Sequence, residues 1–187
     1  MRDFQELLAQ VSRELESRAL AFMVIGGQAV LLHGRPRLTE DIDLTVAADP
    51  RRVGDLVAVC SASGLEPLPE DVEAFATRTY VLPSIDPVSR LRVDFIFSTT
   101  PYERQAIQRA IRVSVAGQQI PFATAEDLII HKLFAARPRD LEDAIGVARR
   151  QGDTLDWSYI ERWAEEFAAI PGREDMPERL RQLRSEA

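Results

Sequence analysis

Apolar residues at Phe4, Leu7, Leu8, Val11 and Leu15 fall at spacings of three and four, which predicts an amphipathic helix over residues 3–18 that covers one face of a sheet. The run Phe22-Met23-Val24-Ile25 reads as a buried strand, Gly26-Gly27 as the turn that follows it, and the next residues as a short helix leading to a loop with Arg35 and Arg37. From Asp41 to Val46 the pattern alternates: Ile42, Leu44 and Val46 face a core, while Asp41, Asp43 and Thr45 face the other way. Asp49-Pro50 starts a helix that continues through Val53, Leu56, Val57 and Cys60 to Gly64, and Pro67 and Pro69 break the chain after it. Thr77 to Leu82 and Arg90 to Phe97 read as paired strands joined through Pro83-Ser84-Ile85-Asp86-Pro87. A helix is predicted from Pro101 to Ala110, then a small hairpin of Arg112 to Val115 with Gln119 to Phe122. The rest reads as helix. Thr124 caps one reaching Ala136, with Asp127 where a capping box more often has Glu, and others run from Pro138 to about Gln151, from Asp156 to about Ala169, and from Pro177. The change of pattern divides the chain into residues 1–123, strands and helices together, and residues 124–187, a helical region packed on them.

Composition narrows the class. A chain of 187 residues, 45% hydrophobic and 28% charged, has the material for one globular domain with a small helical appendage. It has no apolar run of membrane-spanning length, and Met1-Arg2-Asp3-Phe4-Gln5-Glu6 does not read as a signal peptide, so a cytoplasmic location and no membrane partner are expected. The single cysteine, Cys60, lies in a helical pattern and reads as a buried, inert thiol; neither His33 nor His131 has a partner at zinc-site spacing. A net charge of −7 argues against a surface that coats nucleic acid, although Arg35, Arg37, Arg137 and Arg139 form local basic clusters.

Asp41 and Asp43 share one strand face with Cα atoms roughly 6.5–7 Å apart, a separation at which both can ligate one or two divalent cations through oxygen. Gly26-Gly27 opens a helix whose first backbone N–H groups are free to hold an anion. Either feature alone is commonly a tight turn or a solvated strand edge. Occurring in order within about twenty residues, they bring a phosphate cradle and cation-binding carboxylates to one place.

This stretch resembles the nucleotidyltransferase superfamily of the DNA polymerase β type, whose motif is an apolar strand, Gly-Gly or Gly-Ser, a short helix, Asp-x-Asp or Asp-x-Glu, and later a third acid between hydrophobic residues. Gly26, Gly27, Asp41 and Asp43 match the first parts, and Val93-Asp94-Phe95 matches the last. The resemblance implies an α+β (α/β) nucleotidyltransferase fold, a small mixed β-sheet flanked by helices, with C-terminal helices. It also implies Mg²⁺, or Mn²⁺, held by Asp41, Asp43 and Asp94, and an NTP whose phosphates meet the backbone N–H groups of Gly26 and Gly27. Many relatives carry Ser where this chain has Gly27, so a serine hydroxyl contact to phosphate is not available.

Lys132 is the only lysine in a chain with 22 arginines. It reads either as a phosphate partner or as a lysine snorkelling from a mostly buried helix. The segment Asp127-Leu128-Ile129-Ile130-His131-Lys132-Leu133, followed by Arg139-Asp140-Leu141-Glu142-Asp143, resembles the signature of nucleotidyltransferase-like toxins of bacterial abortive-infection (AbiEii-type) systems. That resemblance implies a role for Lys132, with Arg37, in binding nucleotide. Asp140 and Asp143, at an i, i+3 spacing, then orient Lys132 or the acceptor, or else form an ion network with Arg137 and Arg139. The expected reaction is in-line transfer of a nucleoside monophosphate from an NTP to an acceptor hydroxyl. The acceptor stays open between tRNA, as in a toxin paired with an antitoxin protein, and a small hydroxylated molecule such as an aminoglycoside or lincosamide. A non-catalytic nucleotide-binding regulatory module is the third reading. No Gly-x4-Gly-Lys-Ser/Thr loop and no Gly-x-Gly-x-x-Gly fingerprint occurs in the chain.

Overall fold

The computed structural model describes residues 3–39 and 41–187; Met1 and Arg2, which begin the stretch that does not read as a signal peptide, and Glu40 lie outside them. In chain order the elements are α1 (Phe4–Ser17), β1 (Phe22–Ile25), α2 (Gly26–His33), β2 (Asp41–Val46), α3 (Val53–Ser63), β3 (Glu66–Pro67), α4 (Val72–Thr79), β4 (Val81–Ile85), β5 (Arg92–Phe97), α5 (Pro101–Arg109), β6 (Ile111–Val115), β7 (Gln118–Phe122), α6 (Ala125–Ala135), α7 (Pro138–Gln151), α8 (Trp157–Ala168) and α9 (Met176–Glu186). They form two compact units. The first reaches to Gly27 and resumes over Thr39–Ala123; the second comprises Gln28–Leu38 and Thr124–Ala187.

The first unit is built on a seven-stranded mixed sheet of order β3-β4-β5-β2-β1-β7-β6. β1 is apolar throughout because it lies inside the sheet with all four residues buried, antiparallel to β2 and parallel to β7. β2 alternates as its sequence predicts, with Ile42, Leu44 and Val46 wholly buried and Asp41 exposed, and pairs in parallel with β5. Asp3 and Glu6 close a capping box on α1, whose Leu7, Leu8, Val11 and Leu15 are buried where the helix packs on α3, β6 and β7. Cys60 is buried on α3, and burial pushes its thiol up to about 11, which leaves it protonated and inert.

One predicted strand is displaced. Thr77 to Thr79 belong to α4, because Asp71 caps that helix through the Ala74 N–H, and Tyr80, in the left-handed region at φ 57, ends it. The strand therefore starts at Val81 and takes in Pro83-Ser84-Ile85, expected as the connecting loop. Pro83 is tolerated there because its carbonyl accepts from Leu68 beside the two-residue β3, so its ring nitrogen faces that side and not the β5 ladder. The turn is made instead by Asp86, whose carboxylate accepts from the Val88 N–H and the Ser89 hydroxyl.

In the second unit Thr124 caps α6 through the Asp127 N–H, and Asp127 accepts from both the Thr124 and the Tyr159 hydroxyls at 2.8 and 2.7 Å. Asp127 thus ties α6 to α8. The end of α2 presses on α7: a Cβ at Gly34 would come within 2.9 Å of Val147 Cγ2, and the Gly34 and His33 carbonyls accept from Arg150 and Gln151. Among the described residues no helix is long and apolar enough to cross a membrane.

Asp127 and Tyr159 are both buried, so Tyr159→Phe takes one donor from a buried carboxylate. A loss of about 1–3 kcal/mol in unfolding free energy is expected, measured by urea denaturation.

Candidate active site

Parallel pairing of β2 with β5 sets Asp43 directly opposite Asp94 and Asp41 opposite Arg92. Paired strands lie about 4.8 Å apart, so the Asp43 and Asp94 backbones are neighbours and both side chains leave from the face opposite the buried Val93, Phe95 and Leu44. Burial pushes the Asp94 carboxyl above its ordinary range; Arg92, 3.5 Å away, works against this, and the Asp41 charge adds to it. Asp94 is therefore a better proton acceptor than a carboxylate in water.

β1 places Ile25 opposite Asp43, and Gly26 follows it. Gly26 has φ +64, and a Cβ there would sit 1.9 Å from Asp43 Oδ2 and 2.7 Å from its Cγ. An L side chain there would displace the carboxylate and strain the backbone. At Gly27 a Cβ would sit 2.3 Å from the Thr39 Oγ1, so the space that a serine needs at this position is filled by the Thr39 side chain. Thr39 therefore puts a hydroxyl beside the start of α2. Sequence reading missed it because Thr39 stands twelve positions along the chain from the glycine it packs on.

Asp41, Asp43 and Asp94 are hard oxygen donors of the kind Mg²⁺ takes, and Mg²⁺ commonly uses only one or two carboxylates with the rest of its shell from phosphates and water. The pair at Asp43 and Asp94 suits that set. Among the described residues no three His, Cys, Asp or Glu side chains are drawn into one metal-enclosing cluster.

The other predicted residues gather in the second unit. Lys132 Nζ lies 2.7 Å from Asp140 Oδ1 and 3.0 Å from Asp143 Oδ2, with all three side chains buried. Arg37 grips Asp143 with both arms of its fork, at 3.0 and 2.9 Å, and Arg137 Nε donates to Asp140 Oδ2 at 2.5 Å. Arg139 is exposed outside this network. Burial pushes both carboxyls up, but hydrogen bonds from Arg137 and Lys132 to Asp140, and from Arg37 and Lys132 to Asp143, outweigh it and hold both below the usual carboxylate range.

The family model described as a nucleotidyltransferase of unknown function (DUF6036) matches residues 2–182. No curated protein matches the chain in sequence. Among solved structures the chain is similar to the antibiotic-resistance factor ANT(2'')-Ia in solution, with 18% identity, 91% of this chain and 96% of that chain covered, and a TM-score of 0.63. It is similar to crystalline ANT(2")-Ia in complex with adenylyl-2"-tobramycin, with 19% identity, 97% of each chain covered and a TM-score of 0.55. The lincosamide antibiotic adenylyltransferase LnuA, with lincomycin bound, is similar at 13% identity, with 79% of this chain and 98% of that chain covered and a TM-score of 0.55. At these identities the likeness is one of fold.

Two outcomes are expected. Gly26→Ala forces a side chain into the Asp43 carboxylate at a left-handed position, so transfer to any acceptor should drop at least about tenfold while circular dichroism stays native. Lys132→Ala takes one cationic partner from each of two buried carboxylates that keep Arg137 and Arg37, and should cost about 1–3 kcal/mol near neutral pH. Both carboxyl pKa values are lowered by folding, so their stabilisation is full above the unfolded carboxylate range and is lost as pH falls through the folded values. The gap between wild type and Lys132→Ala, read by urea denaturation across pH, should therefore narrow in acid. NTP affinity measured on the same variant by calorimetry separates a scaffold lysine, whose removal spares affinity, from a phosphate contact.

Proposed function

The chain belongs to the family of nucleotidyltransferases of unknown function, and from that premise we propose that it moves a nucleoside monophosphate from an NTP to an acceptor hydroxyl. The observation that carries this reading is the register pairing of Asp43 with Asp94 beside a glycine whose missing side chain leaves room for the Asp43 carboxylate. The acceptor oxygen attacks the α-phosphorus in line, the bond from that phosphorus to the oxygen bridging the β-phosphorus breaks, and pyrophosphate carries away the electron pair. Asp43 and Asp94, with Asp41 on the same strand face, would hold Mg²⁺ or Mn²⁺, whose charge would offset that of the phosphates. Asp94, opposite Asp43 across the β2–β5 pair, would also take the proton of the acceptor hydroxyl, with the bound cation rather than burial then setting its basicity. Backbone N–H groups at Gly26 and Gly27 would meet the phosphates at the first turn of α2, and the Thr39 hydroxyl stands where a serine at position 27 would otherwise reach. Lys132, with two carboxylates on its ammonium, has one N–H left for a phosphate, and Asp140 and Asp143 orient it. Arg37 is committed to Asp143 and would act on nucleotide only by sharing its fork.

The structural relatives bear the names of enzymes acting on aminoglycoside and lincosamide drugs, which makes a small hydroxylated acceptor one reading; the AbiEii-like signature supports a toxin acting on tRNA and held by an antitoxin. An assay that offers labelled NTPs with Mg²⁺ to RNA and to both drug classes distinguishes them. Divalent cation with NTP should raise the melting temperature by relieving repulsion among the acids, and Asp43→Asn should lose most of that rise together with at least about a hundredfold of transfer. An unchanged melting curve in wild type with both ligands present would remove the site.

A further inference from the structure

The second unit carries a cavity of about 630 Å³ walled by Arg35, Arg37, Arg149 and Arg150, of which the proposed chemistry draws only on Arg37 and its partner Asp143. Four guanidinium groups on one cleft make a local basic patch in a chain of net charge −7. Their partners decide what they are for. Arg37 is neutralised by Asp143, which Lys132 also holds. Arg149 instead donates to the backbone carbonyl of Glu186 and Arg150 to that of Gly34 at 2.7 Å, contacts that fix the two side chains without cancelling their charge. Arg35 is exposed and bonds nothing among the described residues. Within that set, three guanidinium groups thus line the cleft without a carboxylate of their own, against Glu142 and Glu186 on the same lining.

The floor supports the same reading. Gly146 lines the cavity in the middle of α7, where alanine would suit the helix better, and the atoms nearest a Cβ there are those of Arg35, at an ordinary 3.8 Å. Sterics do not require this glycine. Its missing side chain keeps the space beneath Arg35 open.

Uncancelled guanidinium charge around an open cavity, with Arg149 and Arg150 held by neutral carbonyls and the Arg35 donors unspent, matches phosphate oxygens, whereas a polycationic ligand would be repelled. We infer that this cleft binds phosphodiester groups of a single-stranded polynucleotide, and so selects a nucleic-acid acceptor over a polycationic aminoglycoside. The inference rests on the transferase reading only for the word acceptor; the binding itself stands apart from it. A volume well beyond one phosphate favours successive groups of a chain over the tail of one nucleotide.

The test is fluorescence anisotropy of the full chain with a labelled single-stranded oligoribonucleotide, without Mg²⁺ or NTP, over a range of NaCl concentrations. Wild type should bind with an affinity that falls linearly in log salt. Arg35→Glu, which breaks no internal bond, should weaken binding on the order of tenfold at low salt and lower the slope by roughly 0.7 for each phosphate that no longer meets a guanidinium. Gly146→Leu, which fills the floor without changing charge, should weaken binding in the same direction, while calorimetric ATP affinity stays at the wild-type value in both variants. RNA affinity unchanged by both cleft variants overturns the inference. So does a fall in ATP affinity with RNA binding intact, which would assign the cleft to the nucleotide's phosphates, and so does tobramycin binding that Arg35→Glu leaves unchanged or weakens. Wild type that binds RNA in this manner yet labels no acceptor would sink the transferase reading and leave the cleft standing.

Discussion

The parallel pairing of β2 with β5 is the constraint from which the first unit's chemistry follows. Ile42, Leu44 and Val46 on one strand and Val93, Phe95 and Phe97 on the other are all buried, and side chains alternate between faces along a strand. A slip of one residue on either strand would turn its acids into that core and its apolar residues out, at a cost of several buried hydrophobic side chains. The core therefore holds Asp43 opposite Asp94 more firmly than any contact between the carboxylates does, since those two charges repel. Position comes from apolar packing. The electrostatics of the site is imposed on the acids by that packing.

Two consequences are visible in the neighbours. Asp94 has its carboxyl pushed up by burial, and Arg92 on the same strand partly offsets this. On the other side, β1 brings Gly26 so close to Asp43 that the carboxylate occupies the volume of the side chain the glycine lacks. The glycine thus serves the backbone, at a positive φ, and the acid, by leaving it room. In the second unit the opposite solution is used for Asp140 and Asp143, whose burial is answered by Lys132, Arg37 and Arg137. Asp94 is left under-compensated, whereas Asp140 and Asp143 are fully paired. That contrast separates an acid suited to take a cation or a proton from acids suited to hold a scaffold.

Much of this was legible in the sequence because it is local. Alternation over Asp41–Val46 placed the two acids on one face, and helical spacing over Phe4 to Leu15 and the cap at Thr124 marked helices that the structure contains. The strand before β5 is displaced from its expected place because Pro83 reads as a turn residue, while its position beside a two-residue strand makes the missing N–H harmless. Thr39 was illegible for a different reason: only the folded loop brings it against Gly27. The partners of Lys132 could be suspected from the i, i+3 acids, yet which arginine completes them could not, since Arg37 lies more than a hundred residues away from Asp143 in the chain.

Arginine shows most plainly why residue type alone underdetermines role. Arg35 and Arg37 are two positions apart in one loop and look equivalent in sequence, but Arg37 is locked to a buried carboxylate and Arg35 bonds nothing among the described residues. Arg137 and Arg139 repeat the contrast: one closes on Asp140, the other stays exposed. A guanidinium matched by a carboxylate contributes order to the scaffold and little field to the solvent. One held by neutral carbonyls, as Arg149 and Arg150 are, keeps both its position and its charge. For an acidic protein, that distinction decides where a polyanion can approach, because net charge averages over arginines that are already neutralised and those that are not.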